Sequence, residues 1–179
     1  MTARIDPEKF RDAMRLTASG VAVITTDGPH GPAGMTVSTF QSFSMDPPSV
    51  MVCINTGSRN LSMIEGNGVF AANVLASSQQ HVARVFSAAS AEERVAYFEG
   101  RSHALVTGAP LLNGALCSFD CRVADVCAFA SHRIVIGAVQ AVETVDAAPL
   151  IYSGRAYHRL EVFASDDPLL AKGELTIPL

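Results

Sequence analysis

The chain has 179 residues, of which 49% are apolar and 17% are charged, and its formal net charge is −4. This length suits one domain, and the apolar fraction suffices for a substantial core. The negative charge and the lack of any basic run argue against nucleic acid as a partner, and the sparse charge suggests that a partner subunit covers part of the surface.

The N-terminal third is predicted to contain one helix and three strands. A helix is expected over residues 6–19, with Asp6 as its cap, and Gly20 would end it. Strands are then predicted at VAVITT, at AGMTVSTFQSFS after the turn DGPHG, and at SVMVCIN after the break MDPP. The last of these is apolar throughout, as expected of a strand that is covered on both faces.

The middle of the chain alternates between short helices and strands. Ser58 can cap a short helix that carries Leu61 and Ile64, and VFAANVLA is predicted to be a strand. The segment SSQQHVARVFSAAS has the spacing of an amphipathic helix. Residues 90–113 are predicted to be mostly loop.

The last third is predicted to be mainly β. In SFDCRVADV, the alternation places Phe119, Cys121 and Val123 on the buried face, with Asp120 and Arg122 on the outer face. HRIVIGAVQAVETV is a further strand, and APLIYSGRAYHRL predicts a hairpin. The tail after Leu160 is expected to run over a neighbouring subunit. About seven strands without regular βαβ alternation favour a mainly β protein, an antiparallel barrel with short peripheral helices.

The cysteines and the N-terminus bear on the cellular compartment. None of the four cysteines stands in a C-x-x-C pair, which favours reduced thiols. The start MTARIDPEKF lacks the apolar stretch of a signal peptide, and the apolar runs are far shorter than the roughly 20 residues that cross a bilayer. We therefore expect a soluble cytoplasmic protein.

The most unusual stretch is GMTVSTFQSFSMDPPSVMVCINTGSRN, residues 34–60, because it is so rich in hydroxyl groups. Alternation along the first strand places Thr36 and Ser38 opposite Met35 and Val37, so that the hydroxyls can line a polar ligand groove. The alternative is a strand whose hydroxyl face meets only solvent, since threonine favours strands in any setting.

GSRN follows at the start of a predicted helix. The first turn of a helix presents unpaired N–H groups, and with Ser58 and Arg59 it would suit a phosphate. The alternative is an ordinary serine cap beside an exposed arginine. Other kinds of site have less support, because the cysteine spacings do not match a zinc site and no G-x-G-x-x-G follows a strand.

The ordered segments FRDAM, ASGVAVITT, MTVSTFQSFSMDPPSVMVCIN, GVFAANVLA, GAPLLNGALCSFDCRV, SHRIVIGAV and PLIYSGRAYHRL together resemble the flavin reductase family. Its members are the reductase components of two-component flavin-dependent monooxygenases. The resemblance covers about residues 8–160 and implies a single domain over 1–179, with 161–179 as its tail. The implied fold is a split β-barrel, antiparallel and Greek-key-like, with short peripheral helices, in a homodimer.

The resemblance also implies a function and a site. The chain would transfer hydride from NADH or NADPH to FMN or FAD and supply reduced flavin to a separate monooxygenase. His132 is implied as the catalytic residue that meets the nicotinamide. The implied cofactor-binding residues are Thr36, Val37, Ser38, Thr39, Cys53, Ile54, Asn55, Ser58, Arg59, Asn60, Asn73, Phe86, Tyr157 and Arg159.

One departure from the family concerns His132. The family often has Gly-Asp before this histidine, whereas this chain has Ala130 and Ser131. His132 therefore lacks that acidic neighbour. Two alternatives to the reductase hypothesis remain open: an oxidoreductase that keeps its flavin and acts directly on a substrate, and a flavin-binding module without turnover.

Overall fold

The computed structural model describes residues 5–161, which fold as a mainly β protein with four short helices. The helices are α1 (Pro7–Leu16), α2 (Arg59–Asn67), α3 (Gln80–Ala88) and α4 (Ala91–Ala96). The strands are β1 (Ser19–Gly20), β2 (Ala22–Thr26), β3 (Ala33–Val37), β4 (Gln41–Met45), β5 (Pro48–Asn55), β6 (Val69–Val74), β7 (Ser102–His103), β8 (Leu111–Leu112), β9 (Cys117–Phe129), β10 (His132–Thr144), β11 (Ile151–Ser153) and β12 (Ala156–His158).

Seven strands form the main antiparallel sheet, in the order β3-β2-β6-β9-β10-β5-β4. Its centre is the long pair β9 and β10, which a tight turn at Ala130 and Ser131 connects. Two smaller sheets flank it, one of β1-β11-β12 and one of β7-β8. This confirms the prediction of a mainly β, antiparallel fold with few short helices.

The sheet is strongly curled. β3 and β4 lie at its opposite edges, yet only Ser38, Thr39 and Phe40 separate them in the chain. Four residue steps span at most about 14 Å, so the two edges must come close together. The curl brings the end of β3 next to the end of β5, where the hydroxyl of Thr39 donates a hydrogen bond to the carbonyl of Cys53 (2.9 Å).

The core occupies both faces of the sheet. Residues 21–24 show this most clearly, since Ala22 and Ile24 pack into one cluster with α2 while Val21 and Val23 pack into another with α3. Leu61 and Ile64 are the buried residues of α2, as predicted. Gly68 ends that helix in a left-handed conformation (φ 69°), which glycine adopts without strain.

Several predicted boundaries were wrong. α1 begins as predicted after Asp6, whose side chain accepts from Glu8 N, but it ends at Leu16 because Thr17 is already extended. The single strand expected over residues 33–44 is two strands on opposite edges of the sheet. Residues 90–113 are irregular over most of their length, as predicted, but they also hold α4, β7 and β8. A capping box of Ser90 and Glu93 starts α4.

Asp120 corrects a further prediction. Alternation put it on an outer face, but its side chain is fully buried, beneath the segment that precedes β8. Its carboxylate accepts from the backbone of Val106 (2.7 Å) and Thr107 (2.9 Å), and from the Thr107 hydroxyl. Hydrogen bonds from backbone N–H groups make burial of this carboxylate tolerable. The predicted tail lies almost wholly outside the described residues.

Candidate functional site

Many of the predicted site residues lie near one edge of the sheet, which is formed by β3 and the three-residue link after it. Among the strands of residues 5–161, β3 pairs with β2 alone. Ala33 and Gly34 face the first turn of α2, Met35 contacts Ser58, and Thr36 to Ser38 face the C-terminal hairpin. A single extended segment thus runs past most of the residues that the family resemblance implies.

The hydroxyls along this segment are partly used within the protein. Thr36 donates to the carbonyl of Ala83 in α3 (2.8 Å), and Thr39 donates to Cys53 O. Ser38 is exposed and adjoins a cavity. The groove of free hydroxyls expected from the sequence is therefore reduced: Thr36 and Thr39 mainly fix the backbone of the edge segment in place.

Gly34 allows α3 to pack close beneath this edge. A Cβ at residue 34 would lie 2.6 Å from the ring of Phe86. Phe86 is itself buried, and it packs against Phe98 and makes a T-shaped contact with Tyr97. The phenylalanine therefore supports β3 from the core side.

The end of β5 meets the start of β10. In the register of these strands, Asn55 lies opposite His132 and Cys53 lies opposite Ile134. Ile54, between them, points into the core and is 1% exposed, so only its backbone is available to a ligand. The side chain of Asn55 accepts from Gly57 N (2.8 Å), which shapes the turn into α2.

His132 is exposed at this strand end. Its Nδ1 lies 2.9 Å from the hydroxyl of Ser131, the residue that stands where the family often has aspartate. Among residues 5–161, no carboxylate lies within ion-pair distance of His132. The serine therefore provides a neutral hydrogen-bonding neighbour in place of an acidic one.

The first turn of α2 carries Ser58, Arg59 and Asn60. Ser58 holds the N-cap position, but its hydroxyl forms no capping hydrogen bond, contrary to the sequence prediction. The hydroxyl lies 3.5 Å from Asn60 Nδ2 and 3.9 Å from Met35 Sδ. The Ser58 hydroxyl thus accepts no hydrogen bond from the first N–H groups of α2. Both the hydroxyl and these N–H groups can therefore bind an anion.

Two cavities lie along the edge. The smaller, here called the tyrosine cavity, has a volume of about 210 Å³. Its lining residues are Val21, Thr36, Val37, Ser38, Ser87, Tyr152 and Tyr157. The two tyrosine rings lie 5.4 Å apart, and burial, with a smaller contribution from Tyr152, raises the pKa of Tyr157. The Tyr157 phenol thus keeps its proton at neutral pH and can donate a hydrogen bond.

The larger, here called the α2–α4 cavity, has a volume of about 430 Å³ and lies between those two helices and the start of β3. Its lining residues are Pro32, Ala33, Gly34, Arg59, Asn60, Met63, Ala91, Glu92, Arg94, Val95 and Ala96. Together, the two cavities flank a strand that has a free edge.

Asn73 and Phe86, two of the implied residues, are buried and line neither cavity. Asn73 is fully buried: its amide nitrogen donates to Val23 O and Thr25 Oγ1 (both 3.1 Å), and its oxygen accepts from Leu112 N (2.8 Å) and from the Ser118 hydroxyl (2.9 Å). All four hydrogen-bonding positions of the amide are filled. The other is Phe86, beneath β3. We therefore leave both residues out of the proposed site. Arg159 is exposed just beyond β12 and adjoins neither cavity.

Sequence reasoning missed the contribution of α4. Arg94 and Glu92 line the α2–α4 cavity, but their segment had been predicted to be loop. The available signal was the S-x-x-E pattern of Ser90 and Glu93, which is typical of a helix start. Ser87 and Tyr152 were missed because only tertiary packing brings α3 and β11 to the same cavity.

Two kinds of feature are absent from residues 5–161. In residues 5–161, no helix combines the length and apolarity needed to cross a bilayer. In that same part of the chain, no group of three or more His, Cys, Asp or Glu residues is placed to hold a metal ion.

Comparisons with known proteins agree on one family. Residues 14–161 match the family described as flavin reductase like domain. The chain is 38% identical over 160 residues to FMN reductase (NADH) RutF of Bradyrhizobium diazoefficiens, covering 88% of each chain.

Solved structures are also similar. BorF, the flavin reductase component of a bacterial two-component tryptophan halogenase, superposes with a TM-score of 0.81 at 30% identity, over 88% of this chain and all of that one. The styrene monooxygenase flavin reductase of Pseudomonas putida S12 has a TM-score of 0.74 at 31% identity, over 86% and 98%. The NADH:FAD oxidoreductase SgcE6 of Streptomyces globisporus has a TM-score of 0.79 at 25% identity, over 90% and 99%.

Proposed function

Because this chain belongs to the flavin reductase-like family, we propose that it is an NADH-dependent flavin reductase that transfers hydride to FMN or FAD. The observation that carries the proposal is the free edge of β3. It runs between a cavity lined by tyrosines and a helix start with an arginine, as a planar phosphorylated cofactor requires. NADPH as the hydride donor is a further possibility within the same proposal.

The residues at the edge fit such a group. The helix start at Ser58, Arg59 and Asn60 would hold the phosphate, through a guanidinium, a hydroxyl and backbone N–H groups. Thr36 to Thr39 and the backbone of Cys53 to Asn55 would flank the ring. A carboxylate partner of Arg59 within ion-pair distance is absent among residues 5–161, so its charge is available to an anion.

When bound, a flavin supplies the ring that accepts the hydride, so the protein needs no strong acid or base. The chain's own residues would then bind the flavin and the nicotinamide and orient them towards each other. Backbone N–H groups along β3 and β5 can stabilise negative charge near them, because they are fixed before the ligand arrives. His132, exposed at the adjoining strand end, would position the nicotinamide. Holding two flat rings in contact lowers the entropic cost of a bimolecular transfer.

The direct test measures NADH oxidation by the purified protein with increasing free FMN or FAD. Steady oxidation that scales with added flavin is the expected result, because the flavin would act as a substrate. Turnover of a separate substrate without added flavin would favour a flavoprotein that keeps its cofactor. Tight flavin binding without turnover would indicate a binding module.

The reduced flavin would serve a separate flavin-dependent monooxygenase. The similarity to BorF and to the styrene monooxygenase reductase supports this part of the proposal, since each is named as a reductase working with another enzyme. A cytoplasmic location accords with the four free thiols of Cys53, Cys117, Cys121 and Cys127.

A homodimer completes the proposal. α1 is amphipathic, yet it has no buried residue, and Phe10 and Met14 on one face are 56% and 51% exposed. Phe129 at the turn between β9 and β10 is 79% exposed. Apolar surface of this kind is typical of an interface between subunits.

A further inference from the structure

The hairpin of β2 and β3 is tied to the end of α2 by one side chain. Asn67 is the last residue of that helix and is partly buried. Its side-chain oxygen accepts from His30 N (2.8 Å), and its nitrogen donates to Thr26 Oγ1 (3.0 Å) and to Gly31 O (2.9 Å). Three of the four hydrogen-bonding positions of the amide thus join the helix to the hairpin.

The partners of Asn67 are themselves held in place. Thr26 is 1% exposed, and its hydroxyl donates to Val69 O (2.7 Å), which fixes it in the sheet. The helix and the turn also approach closely, since a Cβ at Gly66 would lie 2.5 Å from the ring of His30. Only glycine fits there without displacing the histidine. The end of α2 therefore has a defined place against the hairpin.

From this end, α2 runs alongside β3 in the opposite direction. Asn67 binds Gly31 just before β3, and at the other end Ser58 Oγ lies 3.9 Å from Met35 Sδ within β3. At 1.5 Å per residue, the helix from Asn67 back to Arg59 spans about 12 Å. The helix therefore carries the position that is set at Asn67 to its first turn.

Little else fixes the distance between α2 and the hairpin. Among residues 5–161, Asn67 is the only residue of α2 that hydrogen-bonds to the hairpin. The contact of Ser58 with Met35 is weak, because a thioether sulfur is a poor acceptor. Leu61 and Ile64 bury α2 against the sheet, but apolar packing is non-directional. Packing thus keeps the helix on the sheet, whereas Asn67 sets its alignment.

We infer that Asn67 is a positioning residue for the phosphate end of the flavin site. By holding the β2–β3 turn to the end of α2, it sets the gap between β3 and the first turn of the helix, where Ser58 and Arg59 would bind the phosphate. The inference rests on the proposed function. Several donors bind a phosphate at once, so a shift of about 1 Å in one wall of the gap costs affinity.

The test compares FMN with riboflavin, which has the same ring system and no phosphate. Both Kd values are measured by flavin fluorescence with the purified full-length protein. For Asn67→Ala, we expect the Kd of FMN to rise about tenfold and that of riboflavin to rise less than about twofold. The KM of FMN should rise similarly, while kcat at saturating FMN stays near the wild-type value, because hydride is transferred at the ring.

Asn67→Asp carries the test if the alanine variant does not fold. Its carboxylate still accepts from His30 N but cannot donate to Thr26 Oγ1 or Gly31 O. We therefore expect a rise in the Kd of FMN of the same kind but smaller. Salt at about 0.15 M screens the added charge over the roughly 12 Å to Arg59.

Two alanine variants are matched controls. His30→Ala removes the ring that packs on Gly66 but keeps the backbone N–H that Asn67 binds. Asn73→Ala removes an amide with four hydrogen bonds, none of them to α2 or to residues 26–32, and should lower stability in urea more than Asn67→Ala does. Both controls should leave the ratio of the two Kd values at the wild-type value.

An unchanged ratio in Asn67→Ala, with or without lost stability, would overturn the inference. The same shift in His30→Ala or Asn73→Ala would also overturn it, because a contact other than that of Asn67 would then set the gap. Wild-type protein that binds riboflavin as tightly as FMN would overturn it too, yet the proposed function survives if NADH oxidation scales with either flavin. Absence of both flavin binding and turnover would refute the proposed function itself.

Discussion

At the scale of single residues, the proposed phosphate end depends on Ser58 and Arg59. Replacing both, as Ser58→Ala with Arg59→Ala, removes a hydroxyl and a charged donor. Because hydrogen bonds to charged groups are worth about 1.5–3 kcal/mol, we expect FMN affinity to fall roughly ten- to a hundredfold, with the fold intact. Flavin fluorescence titration measures it, with Arg122→Ala as an arginine control outside both cavities. Unchanged affinity would remove this helix turn from the site.

His132 is predicted to act on the nicotinamide more than on the flavin. It is exposed opposite Asn55, and its Nδ1 contacts the Ser131 hydroxyl. His132→Ala should therefore raise the KM of NADH more than the KM of FMN in steady-state assays. Ser131→Ala, which keeps the ring but frees its orientation, should have a smaller effect of the same kind. A KM for NADH that stays at the wild-type value would exclude His132 from the nucleotide site.

Asn73 is predicted to contribute to stability and not to ligand binding. Asn73→Ala would leave several buried partners, among them Leu112 N and the Ser118 hydroxyl, without a hydrogen bond. Each unsatisfied buried group costs about 1–3 kcal/mol, so we expect the free energy of unfolding to fall by about 2–5 kcal/mol in urea titrations. Asn60→Ala, on the surface of α2, is the control for stability. Lost FMN affinity with unchanged stability would instead place Asn73 at the flavin.

These residues show what sequence patterns could and could not predict. The resemblance named Asn73 and Phe86 as cofactor-binding from their positions in matching segments. In the structure, the environment of each side chain is set by its contacts with distant parts of the chain. Asn73 hydrogen-bonds to Leu112 and Ser118, and Phe86 packs against Gly34 and Phe98. Such partners are distant in sequence, so alternation along one strand cannot reveal them.

At the scale of elements, His103 ties the β7–β8 segment to β10. Its Nδ1 lies 2.9 Å from Asn113 Oδ1, and its Nε2 lies 2.8 Å from a carboxylate oxygen of Glu143. Both partners accept, so the doubly protonated ring satisfies both contacts. Hydrogen bonding to Asn113, and then to Glu143, accordingly raises the pKa of His103 above its ordinary value of 6.5.

This contact predicts a pH dependence of stability. Because the folded state raises the pKa, the stabilisation is fully present below the unfolded value of about 6.5 and is lost as pH rises through the folded pKa. The difference in unfolding free energy between wild type and His103→Gln should therefore be larger at pH 6 than at pH 9. Denaturant titrations at a series of pH values measure this, and Glu143→Gln should reduce the same dependence. A difference that grows with pH would contradict the assignment.

Elements with strong local signals were predicted well. The cap at Asp6, the apolar face of α2 and the long strands β9 and β10 follow from spacing and capping within a few residues. The sequence did not predict that residues 33–44 form two strands, because the hydrophobic pattern continues through Ser38, Thr39 and Phe40. The curl of the sheet places the two strands, β3 and β4, at opposite edges. α4 was missed because it is less than two turns long and buries no residue.

At the scale of the whole molecule, the exposed apolar face of α1 predicts a dimer. Light scattering at micromolar concentration should give twice the chain mass of 18.9 kDa. Phe10→Glu with Met14→Glu places charges on the apolar face and should lower the measured mass towards that of one chain. Lys9→Glu changes the charge of the same helix outside this pair and serves as the control. A wild-type mass of one chain would remove the homodimer from the proposal.

The small sheet of β1, β11 and β12 joins parts of the chain that are synthesised far apart in time. Ser19 pairs with Tyr152, and the backbone of Gly154 donates to Arg15 O (2.8 Å). Val21, Tyr152 and Tyr157 line the tyrosine cavity, so this cavity cannot form until residues 151–158 have left the ribosome. A nascent chain halted at residue 145 already contains every lining residue of the α2–α4 cavity, but it lacks both tyrosines. During translation, the tyrosine cavity is therefore the last part of the candidate site to form.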